Sequence, residues 1–405
     1  MKVLQIATST GGGAGIAARR LNSALNSVGV HSYLIHGAPK EQPKEIDEIQ
    51  VTKSFIIRNL SRVVTVLQAK FVQRKNYLVT PFSLQIISAK TILQTKPDVI
   101  HLHTFYNLIS AKTISEICKS GIPVFLTLHD ERFYTGGCHH SLNCSNYKKT
   151  CSKCPETFTS FHKLVERAQH DLSEAWQQKS NVIVIAPSEW IGKNARESQV
   201  LKSAEVVRIN NPLSLEFIQK SGTRKKTKRT SNQFLVTFVA QDLYDPFKGL
   251  DTILECISKY RNEFIDQNIK FIFVGAGAEI DIGDLKQHQF ERIDSTKIID
   301  VYSDSDLLIV PSLVDNSPNV IFEALVCGTP FVGSNQGGIP EIAEVFGMKT
   351  FIYGDSESMY QAIINQKGAE LDSNKIRDAA LAIVHPHVVA KKVSDLYKSK
   401  LTAAN

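Results

Sequence analysis

The residue types best suited to chemistry lie in the second half of the chain. Lys248 stands in Asp245-Pro246-Phe247-Lys248-Gly249-Leu250, just ahead of a helical pattern. A lysine beside a glycine at a helix start can neutralise a phosphate, because the free backbone N–H groups there already favour negative charge. A second segment runs from Pro311 to Leu325 and carries Asp315, Asn316, Ser317, Pro318, Asn319 and Glu323. A strand ends at Pro311, and a helix opens near Pro318 or Asn319. Asp315 is then on the loop and Glu323 on the helix. Carboxylates there can hold sugar or ribose hydroxyls, and the N–H groups of the helix start can hold a phosphate. A third segment, from Gly333 through Gly337-Gly338 to Ile342, is another strand–glycine–helix connection. Three loops at one sheet edge make a pocket for a phosphorylated, hydroxyl-rich ligand.

The first half offers Thr8-Ser9-Thr10-Gly11-Gly12-Gly13-Ala14-Gly15 directly after a strand. Such a run lets backbone N–H groups approach an anion, or it is a tight turn only. It is a poor dinucleotide fingerprint. The spacing is not G-x-G-x-x-G, and no acid ends the second strand at Leu34-Ile35-His36-Gly37. His101, His103 and His129 sit at strand ends; a lone histidine there is usually structural. His129 differs in being followed by Asp130, which can orient its ring, and in facing the ligand side of a parallel sheet. Asp304-Ser305-Asp306 precedes a strand rather than following one, so it reads as a cap or surface feature and not as a metal clamp.

Four of the seven cysteines, Cys138, Cys144, Cys151 and Cys154, fall in one short segment, with a C-x-x-C pair at its end. In a cytosolic protein such a cluster points to a structural zinc held by four thiolates, to free thiols, or to disulfides, in that order. His139 or His140 can substitute for a thiolate. Cys118, Cys256 and Cys327 lie in apolar contexts and read as core thiols.

The elements that must position these groups follow from periodicity. Short apolar, β-branched runs at Val3–Ala7, Ser32–Ile35, Val99–Leu102, Val124–Thr127 and Val182–Ile185 alternate with helical patterns. So do runs at Leu235–Val239, Lys270–Val274, Leu307–Val310 and Phe331–Gly333. Strands of this kind separated by helices indicate parallel sheets covered on both faces. The chain of 405 residues divides into a first doubly wound domain (1–210), a basic linker or loop (211–232), a second doubly wound domain (233–385) and a terminal helix (386–405) packing back on the first domain. Composition, at 42% hydrophobic and 21% charged, is that of a globular protein. No run approaches the roughly 18 apolar residues of a membrane span. The N-terminus reads as a buried strand rather than a signal peptide, which places the protein in the cytosol.

The net charge is +7. Between Glu48 and Asp98 there is no acidic residue, while Lys53, Arg58, Arg62, Lys70, Arg74, Lys75, Lys90 and Lys96 are present. Within that stretch, residues 54–72 place Phe55, Ile56, Leu60, Val63, Val64, Leu67 and Phe71 on one helical face. Residues 49–97 therefore suit an anionic membrane surface, or else pack on the domain with a solvated basic side. The basic run 222–232 reads as an exposed loop and not as a nucleic-acid patch.

Together these segments resemble family 4 of the glycosyltransferases, with the GT-B fold of two Rossmann-like, doubly wound α/β domains facing a central cleft. The likeness spans nearly the whole chain. It is most specific from Pro311 to Glu341, where Glu323, Ala324, Gly328, Pro330, Gly337, Gly338 and Glu341 match the family pattern. The early glycine loop, Leu128-His129-Asp130 and Lys248-Gly249 match too. The cysteine-bearing stretch after His129 looks like a subgroup active on bacterial surface polysaccharides. Two departures stand out. Asp315 replaces the first glutamate of the pattern, with one methylene less reach. Ala240-Gln241-Asp242 stands where the family often has an arginine that contacts the diphosphate, so Lys248 carries that charge alone.

The resemblance implies a retaining transfer of a sugar from a nucleotide-diphosphate sugar to a hydroxyl of a glycan or lipid-linked acceptor, with no cofactor required for catalysis. By it, Glu323 holds the donor ribose and Asp315 the sugar hydroxyls. Ser317, Pro318 and Asn319 meet the phosphates or sugar, and Lys248 neutralises the leaving group. His129 approaches the transferred sugar, and the Gly12-Gly13 loop lies near the diphosphate and acceptor. The place of action is the cytoplasm, peripheral to the inner membrane face, with no nucleic-acid partner. The rival readings are a related epimerase, an NAD-dependent dehydrogenase, and a non-catalytic glycan- or membrane-binding module.

Overall fold

The computed structural model describes residues 1–37, 47–51, 60, 63–72, 79–176, 181–223, 232–291 and 293–404. They form two compact units, Met1–Asn210 with Val389–Asn405, and Asn211–Val388. The first holds strands β1 (Lys2–Ala7), β2 (His31–His36), β3 (Glu48–Gln50), β4 (Val99–Leu102), β5 (Val124–Thr127), β6 (Val182–Ala186) and β7 (Glu205–Arg208). Among the described residues they make one sheet in the order β3-β2-β1-β4-β5-β6-β7, paired in parallel throughout. The second holds β8 (Phe234–Asp242), β9 (Ile269–Ala276), β10 (Lys286–Phe290), β11 (Leu307–Val310), β12 (Phe331–Ser334) and β13 (Lys349–Phe351). Their order is β10-β9-β8-β11-β12-β13, again all parallel. The chain thus has the two Rossmann-like α/β sheets expected of the GT-B class. The order reverses between β1 and β4 in one sheet and between β8 and β11 in the other. In open parallel sheets ligands bind beyond the strand ends at such points.

The strand period of two sorts the first unit's core. Leu4 and Ile6 of β1, Ile100 and Leu102 of β4, and Val124 and Leu126 of β5 point to one face, under the helices Ala111–Lys119 and His162–Trp176. Val3, Val99 and Phe125 point to the other, against Leu21 and Leu25 of the helix Gly12–Ser27. The terminal helix Pro386–Ala404 seals that second face. Its Val389, Ala390, Val393 and Tyr397 recur at helical spacing and are buried there. Pro386 starts it where the missing N–H has no partner to lose.

Part of the segment read as linker is structured. Leu215–Thr223 is a helix, and Leu213, Phe217 and Ile218 join the core around the helix Asn319–Val326. Phe217 and Ile218 reach that core from the helix and Leu213 from the segment before it, and this burial outweighs the polar composition downstream. Most of the basic run, residues 224–231, lies outside the described residues.

The helix expected over 54–72 is described at 60 and 63–72 only. Residues 63–67 are helical and pass into a π-turn, Gln68–Val72. Leu60, Val63, Val66 and Leu67 are exposed there, whereas Gln68 is buried and donates to the Tyr106 hydroxyl at 2.8 Å. Among the described residues no helix is long and apolar enough to cross a membrane.

Tyr397 is fully buried, and its hydroxyl lies 2.5 Å from His101 Nδ1. Tyr397→Ala removes a core aromatic and should cost about 3–5 kcal/mol. Tyr397→Phe leaves only the imidazole nitrogen unpaired and should cost about 1–3 kcal/mol. Urea unfolding midpoints of the two variants against wild type check both the order and the size.

Candidate functional site

In the second unit the loops after β8 and β11 meet at the reversal of strand order. Lys248 Nζ lies 2.7 Å from Asp315 Oδ2, with the side chains 33% and 19% exposed. Two glycines make this approach feasible. Gly249 has φ +77°, and a Cβ there would stand 2.0 Å from the Pro311 carbonyl oxygen. Gly337 has φ +62°, and a Cβ there would stand 2.1 Å from the Asp315 carbonyl oxygen. No side chain fits at either place. Backbone hydrogen bonds complete the junction. Leu313 donates to the Phe247 carbonyl and Gly338 to the Asp315 carbonyl, each at 2.9 Å. The Asp315 carboxylate, working against burial, raises the Lys248 pKa above that of an ordinary lysine, so the ammonium stays charged at neutral pH.

Beyond Asp315 the chain enters the helix Asn319–Val326. Pro318 precedes it, and no side chain of the described residues caps its first turn. The Ile321 N–H donates to the Pro318 carbonyl at 3.2 Å, and those of Asn319 and Val320 are left to a ligand or to water. Ser317 and Asn319 are half-buried at this start, and Pro318 is buried. Glu323 follows one turn in, half-buried, and accepts from the Tyr302 hydroxyl at 3.2 Å. Asp306 accepts the backbone N–H of Leu235 at 2.8 Å and Ser305 meets Thr237, so the D-S-D run knits the sheet edge.

In the first unit the glycine run opens the helix Gly12–Ser27, whose cap is Gly11. A Cβ at Gly12 or Gly13 would meet open space, leaving their backbone approachable. The crowded position is Gly15, 2.4 Å from the Ser9 carbonyl oxygen. Next to this loop, across the β1–β4 reversal, three histidines cluster: His101 and His103 are buried with ring centroids 4.2 Å apart, and half-buried His129 is hydrogen-bonded to His103. Gln5 donates its amide hydrogens to Asn22 (3.1 Å) and Ser32 (2.8 Å), so its oxygen faces His103 Nε2 at 2.7 Å as an acceptor. His103 then carries its proton on Nε2 and leaves Nδ1 to accept from His129 Nε2 at 3.0 Å. The network thus assigns the His129 proton to Nε2 and the lone pair to Nδ1. Burial lowers His129 to about 4, with Asp130 opposing it, and His101 to about 3; burial and the neighbouring rings put His103 well below its usual value.

Asp130 does not orient His129 as the sequence led us to expect. It binds Arg132 through the backbone N–H (3.0 Å), Nε (2.9 Å) and Nη2 (2.5 Å). Burial alone would raise its pKa, but the guanidinium outweighs it and holds the carboxyl well below the usual range. A partner two residues along in a tight turn wins over the preceding ring. The group that does orient His129 is His103, with Gln5 behind it. The signal was a glutamine in the apolar strand Val3–Ala7, which had to face something polar.

The four clustered cysteines come together around one recess. Cys138, Cys151 and Cys154 are buried and Cys144 is half-buried. The Cys138 thiol donates to the Cys154 sulfur and lowers the Cys154 pKa.

Comparison with known proteins places this geometry. The model of Glycosyltransferase Family 4 matches residues 11–217, and that of Glycosyl transferases group 1 matches residues 233–366. The putative colanic acid biosynthesis glycosyl transferase WcaC of Escherichia coli K12 is 22% identical over 365 residues, covering 86% of this chain and 87% of that protein. A sucrose-phosphate synthase from Thermosynechococcus elongatus superposes with a TM-score of 0.65 at 15% identity over 100% of both chains. Anabaena HepE in complex with UDP does so at 0.61 and 15%, covering 98% of this chain and 100% of that one. At such identities the structural likeness concerns the fold alone.

The histidine set makes the fold sensitive to acid. Groups with a pKa near 6.5 when unfolded bind protons on unfolding once the pH falls below that value, while the native rings stay neutral. Their contribution is complete above pH 6.5 and is lost as the pH falls toward about 4. Thermal melts between pH 8 and 4 should therefore be flat above 7 and fall steadily below 6.5. A melting temperature unchanged to pH 4.5 would contradict the neutral assignment.

Proposed function

The chain belongs to Glycosyltransferase Family 4, and on that premise we propose that it transfers a sugar, with retention, from a nucleotide-diphosphate sugar to a hydroxyl of a glycan or lipid-linked acceptor in cell-surface polysaccharide biosynthesis. The observation that carries this reading is the Lys248–Asp315 pair at the strand-order reversal of the second unit. It sets a cation for the departing diphosphate beside a carboxylate for the sugar hydroxyls, at the mouth of an uncapped helix. WcaC is described as a glycosyl transferase of colanic acid biosynthesis, and the HepE structure holds UDP. Both support a nucleotide-linked donor and a surface-polysaccharide product.

In the proposed reaction the bond from the anomeric carbon to the diphosphate breaks as positive charge builds on the sugar, and negative charge builds on the departing oxygen. Lys248 and the N–H groups at Asn319 meet that negative charge. Asp315 orients the sugar hydroxyls and holds the Lys248 ammonium in place before the donor arrives. Glu323, fixed by Tyr302, accepts from the donor ribose. Neutral His129 contributes a hydrogen-bonding imidazole to the transferred sugar without adding a second cation. Gly12 and Gly13 offer an open backbone to the diphosphate or acceptor. Acidic and basic side chains suffice for this chemistry, so no cofactor enters it.

A unit charge about 4 Å from another at an effective dielectric near 20 is worth about 4 kcal/mol. Lys248 is one-third exposed, and screening reduces that figure. Lys248→Ala should therefore cut the rate of nucleotide release at least about tenfold. Glu323→Ala should do so as well, by loosening the donor. Thermal melts with UDP, GDP, ADP and NAD identify the ligand. One nucleoside diphosphate should stabilise wild type, by about 2.7 kcal/mol at a hundred times its dissociation constant, and fail to stabilise Lys248→Ala. A shift with NAD alone would sink the proposal.

We place the enzyme peripherally at the inner membrane face. The exposed Leu60, Val63, Val66 and Leu67, in a stretch rich in lysine and arginine, support this. The protein should float with vesicles containing anionic lipid at low salt and stay in the bottom fraction with neutral vesicles. Leu67→Asp should weaken the flotation.

A further inference from the structure

We propose that Cys138, Cys144, Cys151 and Cys154 together bind one structural zinc ion, a site independent of the sugar-transfer reading. The first observation is segregation. Three of the seven cysteines are scattered, Cys118 in the first unit's core and Cys256 and Cys327 in separate clusters of the second. The other four line a single recess, together with Thr135 and Tyr147. Sequence spacing pairs only Cys151 with Cys154; five and six residues separate Cys138 and Cys144 from the next cysteine. The fold brings all four together.

The second observation is the kind of chain that carries them. From Tyr134 to Phe158 the backbone contains one short 3₁₀ turn, Asn146–Lys148, and isolated bridge residues at Cys138, paired with Val79, and at Thr157. A loop of that length without a ladder of its own is uncommon inside a compact domain. Yet its ends and middle are tied down. Thr135 Oγ1 donates to the Cys138 carbonyl at 3.0 Å, the Cys151 N–H donates to Gln169 Oε1 at 2.7 Å, and Asn146 Nδ2 donates to the Lys153 carbonyl at 2.8 Å. These bonds fix the backbone at three of the four cysteine-bearing turns. The side chains then face one recess, where four sulfurs can act together as ligands.

Thiolates are soft ligands and select zinc over magnesium or calcium. Four of them fill the tetrahedral shell and leave no position for a substrate, so the ion is structural. Each thiol releases its proton on binding, and no electrons are transferred. The filled site carries two negative charges, and Lys148, Lys149 and Lys153 lie in the same loop. Cys138 and Cys154 already touch through a thiol hydrogen bond. No three of the sulfurs lie within 4.8 Å of one another. Binding therefore draws Cys144 and Cys151 inward, until each sulfur stands about 2.3 Å from the metal.

The test uses the full chain, purified under reducing conditions without chelator. Elemental analysis should find one zinc per chain. Cys144→Ser, which alters the half-buried ligand and disturbs packing least, should lower zinc occupancy at least about tenfold after dialysis. Cys327→Ser should leave it unchanged. A second readout does not depend on any variant. Removing zinc with a chelator should add the four clustered thiols to those that react with a thiol reagent. Cobalt added to the chelated protein should give a thiolate-to-metal charge-transfer band. Wild type without zinc, with the clustered thiols already reactive, overturns the proposal. So does an intact mass lower by two hydrogens, which would make Cys138 and Cys154 a disulfide pair. Zinc retained in full by Cys144→Ser overturns the four-thiolate assignment.

Discussion

Lys248 and Asp315 come from loops 67 positions apart, and their side chains meet at 2.7 Å. That contact depends on the backbone more than on the charges. A partly exposed ion pair contributes only about 0–1 kcal/mol to stability, far too little to hold two loops together. The loops are held by the parallel order of β8 and β11, by the hydrogen bonds at Leu313 and Gly338, and by two glycines that let the chains touch. A Cβ at Gly249 or Gly337 would have to displace a carbonyl oxygen. The pair is therefore a consequence of the scaffold, placed where strand order reverses and helix N–H groups open outward. For the proposed transfer, its worth is an ammonium oriented before a diphosphate arrives. A flexible lysine would otherwise lose that rotamer freedom on binding.

The first unit solves the opposite electrostatic problem. Gln5, His101 and His103 point to the same sheet face as Val3, Val99 and Phe125, where apolar side chains would pack at less cost. Polar groups survive there because each finds a partner. Asn22 and Ser32 accept from Gln5, and Thr127 and Tyr397 engage His101. A fully satisfied buried network rigidifies its members. It fixes one tautomer of His129 and keeps the ring neutral. The Lys248–Asp315 ion pair thus stands in the second unit and this neutral imidazole network in the first.

The parts of this arrangement legible in sequence were those written in local pattern. The interior strands announced themselves as apolar runs, and the loops after them as glycine, proline and carboxamide clusters. The edge strands did not. Lys286-Gln287-His288-Gln289-Phe290 and Lys349-Thr350-Phe351 form β10 and β13 through a neighbour's hydrogen bonds, with little apolar pattern of their own. Lys248 and Asp315 were each readable as candidates, but their pairing was not, since it needs the strand order. The role of Asp130 was misjudged for a related reason. Adjacency to His129 said nothing about Arg132 folding back in a 3₁₀ turn. His103 was visible only as a strand-end histidine until the register set Gln5 beside His101 and carried the chain on to His103.

Glu131 explains how the histidine edge and the cysteine loop depend on each other. Its carboxylate is fully buried, directly after Asp130, and would be prohibitive there without partners. It accepts from the backbone N–H and hydroxyl of Ser141, and from the Tyr134 hydroxyl at 2.8 Å. Its own N–H donates to the His139 carbonyl at 2.9 Å. These partners belong to the loop that carries the cysteines, and Asn194 Nδ2 adds a longer contact at 3.4 Å from the helix Glu189–Glu197. If that loop came loose, Glu131 would keep only the Asn194 contact, and losing the other partners of a buried charge costs about 3–5 kcal/mol in comparable cases. The hydrogen bonding of the interior Glu131 carboxylate therefore depends chiefly on the closed loop. Whatever fastens Cys138, Cys144, Cys151 and Cys154 together also holds the turn from which His129 and Asp130 project.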